Sequence, residues 1–139
     1  MRQAQETLRI ATQGPGLYEI TDAVSRWTAG QGITTGLLTL YSRHTSASLV
    51  IQENADTQVL DDLLHFFQRL VPDGDPLFRH TAEGPDDMPA HVRSALTATS
   101  INIPLGQGHL LLGTWQGIFL FEHRAQPHRR EVTLHLMGD

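Results

Sequence analysis

Ala47-Ser48-Leu49-Val50-Ile51-Gln52, then Glu53-Asn54-Ala55-Asp56, then Thr57-Gln58-Val59-Leu60-Asp61-Asp62-Leu63-Leu64-His65-Phe66-Phe67-Gln68-Arg69-Leu70: within this one stretch the hydrophobic pattern changes period. Residues 47–52 are rich in Leu, Val and Ile, the composition of a strand. Further on, Val59, Leu60, Leu63, Leu64, Phe67 and Leu70 recur at helical spacing with Asp61, Asp62, Gln68 and Arg69 opposite, the stripe of an amphipathic helix. Asp56 stands where a helix cap belongs, and Pro72 follows the end. A strand feeding a long helix, in a chain otherwise dominated by strand patterns, predicts an α+β fold.

Toward the N-terminus, residues 34–41 supply another Thr- and Leu-rich strand, set apart by the polar bend Ser42-Arg43-His44-Thr45-Ser46. Earlier still, Ile20, Val24 and Trp27 share a helical face, with Thr21 or Asp22 as cap and Gly30 to Gly32 closing the far end. Residues 5–12 alternate, Leu8 and Ile10 against Arg9 and Ala11, until Gly14-Pro15-Gly16 stops the strand. On the other side, residues 72–90 hold four of the seven prolines and read as a long loop, a kind that is usually functional or disordered. Pro89 is placed to open a short helix carrying His91, Val92 and Leu96. Residues 105–112, residues 118–122 and the alternation of Val132, Leu134 and Leu136 predict strands in an antiparallel meander.

Composition narrows the chemistry. A length of 139 residues suits one domain, residues 1–139, with a single core. There is no cysteine, so thiolate ligands, catalytic thiols and disulfides are excluded. All 10 basic residues are arginines, which removes a Schiff-base lysine and the lysine of a P-loop. A net charge of -5 argues against nucleic acid as a partner and leaves small molecules. No apolar run approaches the ~18 residues of a membrane span. The segment from Met1 to Glu6 lacks the apolar core of a signal peptide, so a cytoplasmic protein without a membrane partner is expected.

Four clusters carry candidate chemistry. Arg43-His44-Thr45-Ser46-Ala47-Ser48 gathers an imidazole, a guanidinium and hydroxyls at a bend, donors that suit a phosphate or carboxylate and that also suit an ordinary turn. His80 and His91 bracket Glu83, Asp86 and Asp87 around a Gly-Pro turn, either a ligand set or a solvated acidic loop. Gln52 to Asp56 is helix-cap chemistry, within which Glu53 or Asn54 could orient a histidine. Gly113-Thr114-Trp115-Gln116-Gly117 interrupts two apolar strands and marks a bulge or a close approach, with Trp115 as core or site. His65, His109 and His135 have ordinary explanations, and Glu122-His123-Arg124 with His128 reads as a surface ion-pair patch.

In this order, His44-Thr45-Ser46-Ala47-Ser48, Gln52 to Asp56, His80 with Glu83 to His91, and Leu112 to Ile118 resemble the YjbQ family, also called the secondary thiamine-phosphate synthase enzyme family. The resemblance runs over almost the whole chain. It implies a single α+β domain, mainly antiparallel β-sheet or sandwich with two to three helices, assembled as a homotrimer. It also implies a pocket in which His44, His80 and His91 bind a divalent metal such as zinc. The implied activity is thiamine-phosphate synthesis, joining hydroxymethylpyrimidine diphosphate to thiazole phosphate with loss of pyrophosphate. On that reading Glu83 or Asp87 is the catalytic acid or base, and Arg43 with Ser46 or Ser48 holds phosphate. Glu53, Asn54 and Trp115 support the ligands from behind, and Mg²⁺ could accompany a diphosphate substrate. With no lysine, phosphate handling falls to arginines such as Arg43, Arg79, Arg93 or Arg124. The rival readings are a metal-dependent hydrolase and a trimeric metal- or small-molecule-binding protein without catalysis.

Overall fold

The computed structural model describes residues 1–139 throughout. Its elements run β1 (Arg2–Thr12), β2 (Gly16–Glu19), α1 (Thr21–Ala29), β3 (Gly36–Ser42), β4 (Ala47–Glu53), α2 (Thr57–Leu70), α3 (Asp87–Leu96), β5 (Ser100–Gly106), β6 (His109–Leu110), β7 (Gln116–Glu122) and β8 (His128–Gly138). Five strands form one antiparallel sheet in the order β1-β8-β3-β5-β6, and the others form a second, β2-β7-β4. The α+β class with mainly antiparallel sheets is as expected. The meander is not: β7 lies in the small sheet, while β5 and β8 sit in the large one on either side of β3.

Alternation explains the packing. Leu38, Leu40, Ile103, Leu105, Val132, Leu134 and Leu136 of the large sheet face Leu49, Ile118 and Leu120 of the small one, all buried in one cluster. Phe119 and Phe121 of β7 point to the opposite face and are also buried. There Phe67 of α2 meets Phe121 edge to face, with ring centroids 5.4 Å apart. Strand β7 is therefore covered on both sides, which is why Ile118-Phe119-Leu120-Phe121 is a continuous apolar run. Gly117 starts that run where a Cβ would stand 2.8 Å from Glu19 Oε2 and 2.9 Å from Asn54 Cβ, the close approach expected of a glycine in a strand.

Asp56 caps α2, its carboxylate accepting from Gln58 N at 2.9 Å. Helix α1 differs from expectation. Its N-cap is Ile20 and no side chain bonds there, because the Thr21 hydroxyl donates to Glu19 and accepts from Ile118 N. Helix α3 opens at Asp87, ahead of Pro89, which sits in the first turn. No helix is long and apolar enough to cross a membrane.

The chain crosses between the sheets at one end of the sandwich: β1 to β2, β3 to β4, and β7 to β8. There Thr12 pairs with His128 in the large sheet and Ala47 with Glu122 in the small one. Crossing strands bring backbone and side-chain polar groups into the interior, and these need partners. Glu122 supplies them. Its buried carboxylate accepts from Arg130 Nε at 2.7 Å and Thr12 Oγ1 at 2.6 Å, and from the backbone N–H groups of His123 and Arg124. Arg130 also donates to Ser46 Oγ at 3.0 Å, tying the β3–β4 bend to the same pair. Burial raises the Glu122 carboxyl, but the bonds from Arg130 and Thr12 outweigh it and hold it ionised, below its ordinary value. Arg130→Met leaves a buried carboxylate without its cation and should cost about 3–5 kcal/mol in urea denaturation; a loss within experimental error would refute this account of the crossing end.

Candidate metal centre and adjoining cleft

Asp87 opens α3 and His91 follows one turn later, so both side chains leave the same face of the helix. The loop before α3 folds back to bring His80 beside them. His80 Nε2 lies 2.7 Å from Asp87 Oδ2 and His91 Nε2 lies 3.2 Å from the same oxygen. The donor atoms of His80, Asp87 and His91 all fall within 4.8 Å of one another. Asp87 is buried, while the His80 and His91 side chains keep 46% and 31% of their surface, so solvent reaches the group from the imidazole side.

The tautomer of His91 decides what this group can hold. Its Nδ1 sits 3.0 Å from Thr45 O, a carbonyl that can only accept, so Nδ1 carries the hydrogen. A neutral ring then turns the lone pair of Nε2 toward a carboxylate oxygen. Two acceptors face each other, and the contact is favourable only with a proton or a cation between them. Zinc bonds of ~2.0–2.1 Å to nitrogen and oxygen place neighbouring tetrahedral donors roughly 3.3 Å apart; the His91–Asp87 separation of 3.2 Å meets that spacing, while His80 and Asp87, at 2.7 Å, stand at hydrogen-bond distance. An Nδ1–H fixed on a backbone carbonyl with Nε2 free is also how ligating histidines are oriented.

Arg124, from the β7–β8 crossing, anchors the carboxylate. Its Nη1 donates to Asp87 Oδ1 at 2.7 Å, its Nε to Asp86 Oδ2 at 3.0 Å and its Nη2 to Glu83 O at 3.0 Å. The side chain of Asp86 also accepts from Ala125 N, which leaves α3 without a side-chain cap. Burial raises the Asp87 carboxyl, yet the hydrogen bond from His80 and the charge of Arg124 hold it below the ordinary range. Asp87 is thus an ionised carboxylate with both oxygens engaged, an arrangement better suited to holding a cation than to the proton transfer expected from the sequence. Glu83 is exposed, its carboxylate 4.0 Å from Arg124, and it remains available for that part.

His44 does not join this group. Its Nε2 accepts a hydrogen bond from Glu131 N at 2.7 Å, which places its hydrogen on Nδ1. Burial, then the charge of Arg130, lowers its pKa and keeps the ring neutral. His44 instead lines a cleft of about 530 Å³ that it shares with Arg43, Thr45, His91, Ser94 and Thr99. A second pocket of about 300 Å³, bordered by His80, Pro76, Phe78, Pro85 and Met88, lies on the other side of the group.

Of the residues expected to hold phosphate, only Arg43 reaches the cleft, and there it pairs with Glu131 at 3.1 Å. Ser46 and Ser48 face the interior, because β4 begins at Ala47 and turns them inward. Ser46 accepts from Arg130, and Ser48 is bonded to His123 Nε2 at 2.9 Å and Thr97 Oγ1 at 2.6 Å. Glu53 ends β4, seven residues along from the bend, and Asn54 follows it, so both lie at the far end of the small sheet. Asn54 bonds Glu19 and Trp115 O there, and Trp115 itself is exposed. None of the three backs a histidine of the centre. Arg79 is exposed and Arg93 is buried against Val71 O.

The segment expected to be a surface ion-pair patch is interior. Glu122 and His123 are buried, and Arg124 is the anchor described above. Sequence reading missed Arg130, Ser94, Thr97 and Thr99. The i,i+4 spacing of Asp87 and His91 was a usable signal for the metal group, hidden by starting the helix at Pro89. Burial first, and then the charge of Arg93, pushes the His123 pKa down to about 3. The unfolded chain therefore protonates this residue first, so stability is full above pH 6.5 and declines below it by about 1.4 kcal/mol per pH unit. Between pH 7.5 and 5.0, His123→Gln should lose about 2 kcal/mol less than the wild type in chemical denaturation; identical losses would contradict a neutral buried ring.

The UPF0047 protein YjbQ-like family model matches residues 6–139. A UPF0047 protein of Synechocystis sp. is 56% identical over 138 residues, covering 99% of this chain and 94% of that protein. The UPF0047 protein YjbQ of Escherichia coli O157:H7 is 40% identical over 136 residues, covering 97% and 98%. Among solved structures, a hypothetical protein of Aeropyrum pernix superposes with a TM-score of 0.86 at 29% identity, covering 100% of both chains. A conserved hypothetical protein of Thermus thermophilus gives 0.83 at 36% identity, covering 95% of this chain and 99% of that one. The chain therefore belongs to the YjbQ-like UPF0047 family.

Proposed function

We propose that this protein is a cytoplasmic metal-dependent enzyme whose centre is His80, Asp87 and His91, acting on a small phosphorylated substrate. One observation carries the reading: a buried, anchored carboxylate shares one oxygen with two imidazoles, and the tautomer of His91 turns a lone pair toward it. A zinc ion held by these donors would supply a Lewis acid beside the cleft, with a coordination position left for a substrate oxygen. Arg124 fixes Asp87, Thr45 O fixes His91, and Glu83 is the exposed carboxylate able to take or give a proton. The reaction we propose is thiamine-phosphate synthesis. The thiazole nitrogen bonds to the pyrimidine methylene carbon as the carbon–oxygen bond to diphosphate breaks, and pyrophosphate leaves. A donor-lined cleft beside the metal group supports a substrate bearing phosphate. Leu37, Tyr41 and Met137, exposed on the outer face of the large sheet, are apolar surface that the homotrimer of this proposal would cover.

Elemental analysis of tag-free protein should find one zinc per chain in the wild type and in His44→Ala, and loss of it in His80→Ala, Asp87→Asn and His91→Ala. Arg124→Met should weaken zinc binding roughly 10–100-fold by freeing the carboxylate. Full zinc retention by Asp87→Asn and His91→Ala would remove the centre.

Turnover separates the reactions. Protein from a host lacking its own thiamine-phosphate synthase, given pyrimidine diphosphate with thiazole phosphate and, in parallel, a panel of esters, should form thiamine phosphate, and His91→Ala should not. Ester cleavage alone would make it a hydrolase, and equal rates for wild type and His91→Ala would leave it no enzyme.

A further inference from the structure

The cleft beside the metal group has an unusual lining for so acidic a chain. With 15 Asp and Glu against 10 Arg, the protein lines this concavity with no carboxylate. What it presents instead are donors. Arg43 brings a guanidinium, and Thr45, Ser94 and Thr99 bring hydroxyls. Ser94 Oγ is buried and no protein group bonds it, which is uncommon for a buried hydroxyl. His44 adds a donor of fixed sense. Its single lone pair is occupied by Glu131 N–H, so the ring can offer only Nδ1–H, which bonds no protein acceptor. A ring in this state cannot ligate a metal through either nitrogen without losing its bond to Glu131 or its hydrogen.

We propose that this cleft is an oxyanion subsite, in which His44 Nδ1–H, the Arg43 guanidinium and the Ser94 hydroxyl bind the phosphoryl or carboxylate group of the substrate beside the metal centre. The inference deepens the metal-enzyme reading, since it places the anionic end of the substrate next to His91. It also reassigns His44 from metal ligand to anion donor. Arg43 can serve because its present partner, Glu131, is a surface acid, and an exposed pair of this kind is readily exchanged for a better acceptor. The neutral imidazole contributes direction without charge, so the arginine is the sole cation of the subsite. Phosphate monoesters and carboxylates share the chemistry that this set recognises.

Calorimetric titration of the metal-free and the zinc-loaded protein with methyl phosphate and with acetate tests the assignment. The wild type should bind at least one of the two in both metal states, more tightly with zinc present. Arg43→Gln and His44→Phe should each weaken that anion roughly tenfold or more, the cost of a lost charge-assisted or directed hydrogen bond, and Ser94→Ala about threefold. All three should keep the wild-type far-UV circular dichroism and the wild-type zinc content. Asp87→Asn, without zinc, should match the metal-free wild type. Which anion binds more tightly assigns the substrate group as phosphoryl or carboxylate, and either result upholds the subsite. Absence of binding by both anions to the metal-free wild type, or equal affinity in wild type, Arg43→Gln and His44→Phe, would overturn it. Loss of zinc in His44→Phe would return the ring to the ligand set and overturn its assignment as a donor. If the wild type holds no zinc yet shows this mutational pattern with an anion, the metal reading falls and the subsite stands.

Discussion

A buried carboxylate and a buried guanidinium, Glu122 and Arg130, sit where the chain passes between its two sheets, and the architecture of the candidate site depends on them. Taking two charges out of water is costly, and a buried pair seldom adds net stability over apolar residues of the same size. What the pair supplies here is a set of directional bonds in a region where no regular ladder can form. Glu122 receives the β1 end through Thr12 and the β7–β8 crossing through two backbone N–H groups, while Arg130 holds the β3–β4 bend through Ser46. With those crossings fixed, Thr45 O and Glu131 N are presented at set positions, and each chooses the tautomer of one histidine.

The two histidines nearest the cleft are thereby given opposite senses. At His91 a carbonyl takes the hydrogen and exposes a lone pair; at His44 an amide takes the lone pair and exposes a hydrogen. Backbone groups of the β3–β4 bend and of β8 thus make one ring an electron-pair donor and the other a hydrogen-bond donor. The surrounding carboxylates follow the same division. Asp86 and Asp87 are drawn to Arg124 on one side of His91, and no carboxylate lines the cleft on the other side, where Glu131 stands behind Arg43.

Much of the fold was legible because period and composition report burial. The change from strand to helix between Ala47 and Leu70 was readable, as was the Asp56 cap, since each depends on local geometry. Sheet membership was not, because a strand's alternation says which face is buried and nothing about which sheet receives it. The apolar run of β7 is explained by α2 lying outside it, a tertiary fact. For the site, His80, His91 and Asp87 were all named from one acidic loop, but the bonds that engage Asp87 were not visible there. Charge type was visible in the sequence; engagement by Arg124, thirty-seven residues away, was not. His44 was grouped with the other histidines because residue identity does not show which nitrogen the fold will occupy. Ser46 and Ser48 were taken for a loop surface, when the crossing turns both inward.

The pairing of β1 with β8 runs from Arg2 against Gly138 to Thr12 against His128, so the first and last strands of the chain are neighbours along their whole length. Contacts that distant in sequence close late, after the loop entropy between them has been overcome. Arg124 and Glu131, which set Asp87 and His44, both come later in the chain than the residues they fix. Until they dock, the imidazoles have neither their carboxylate nor their tautomers defined. Competence to hold a ligand therefore depends on long-range docking and is absent from the segment that carries the histidines alone.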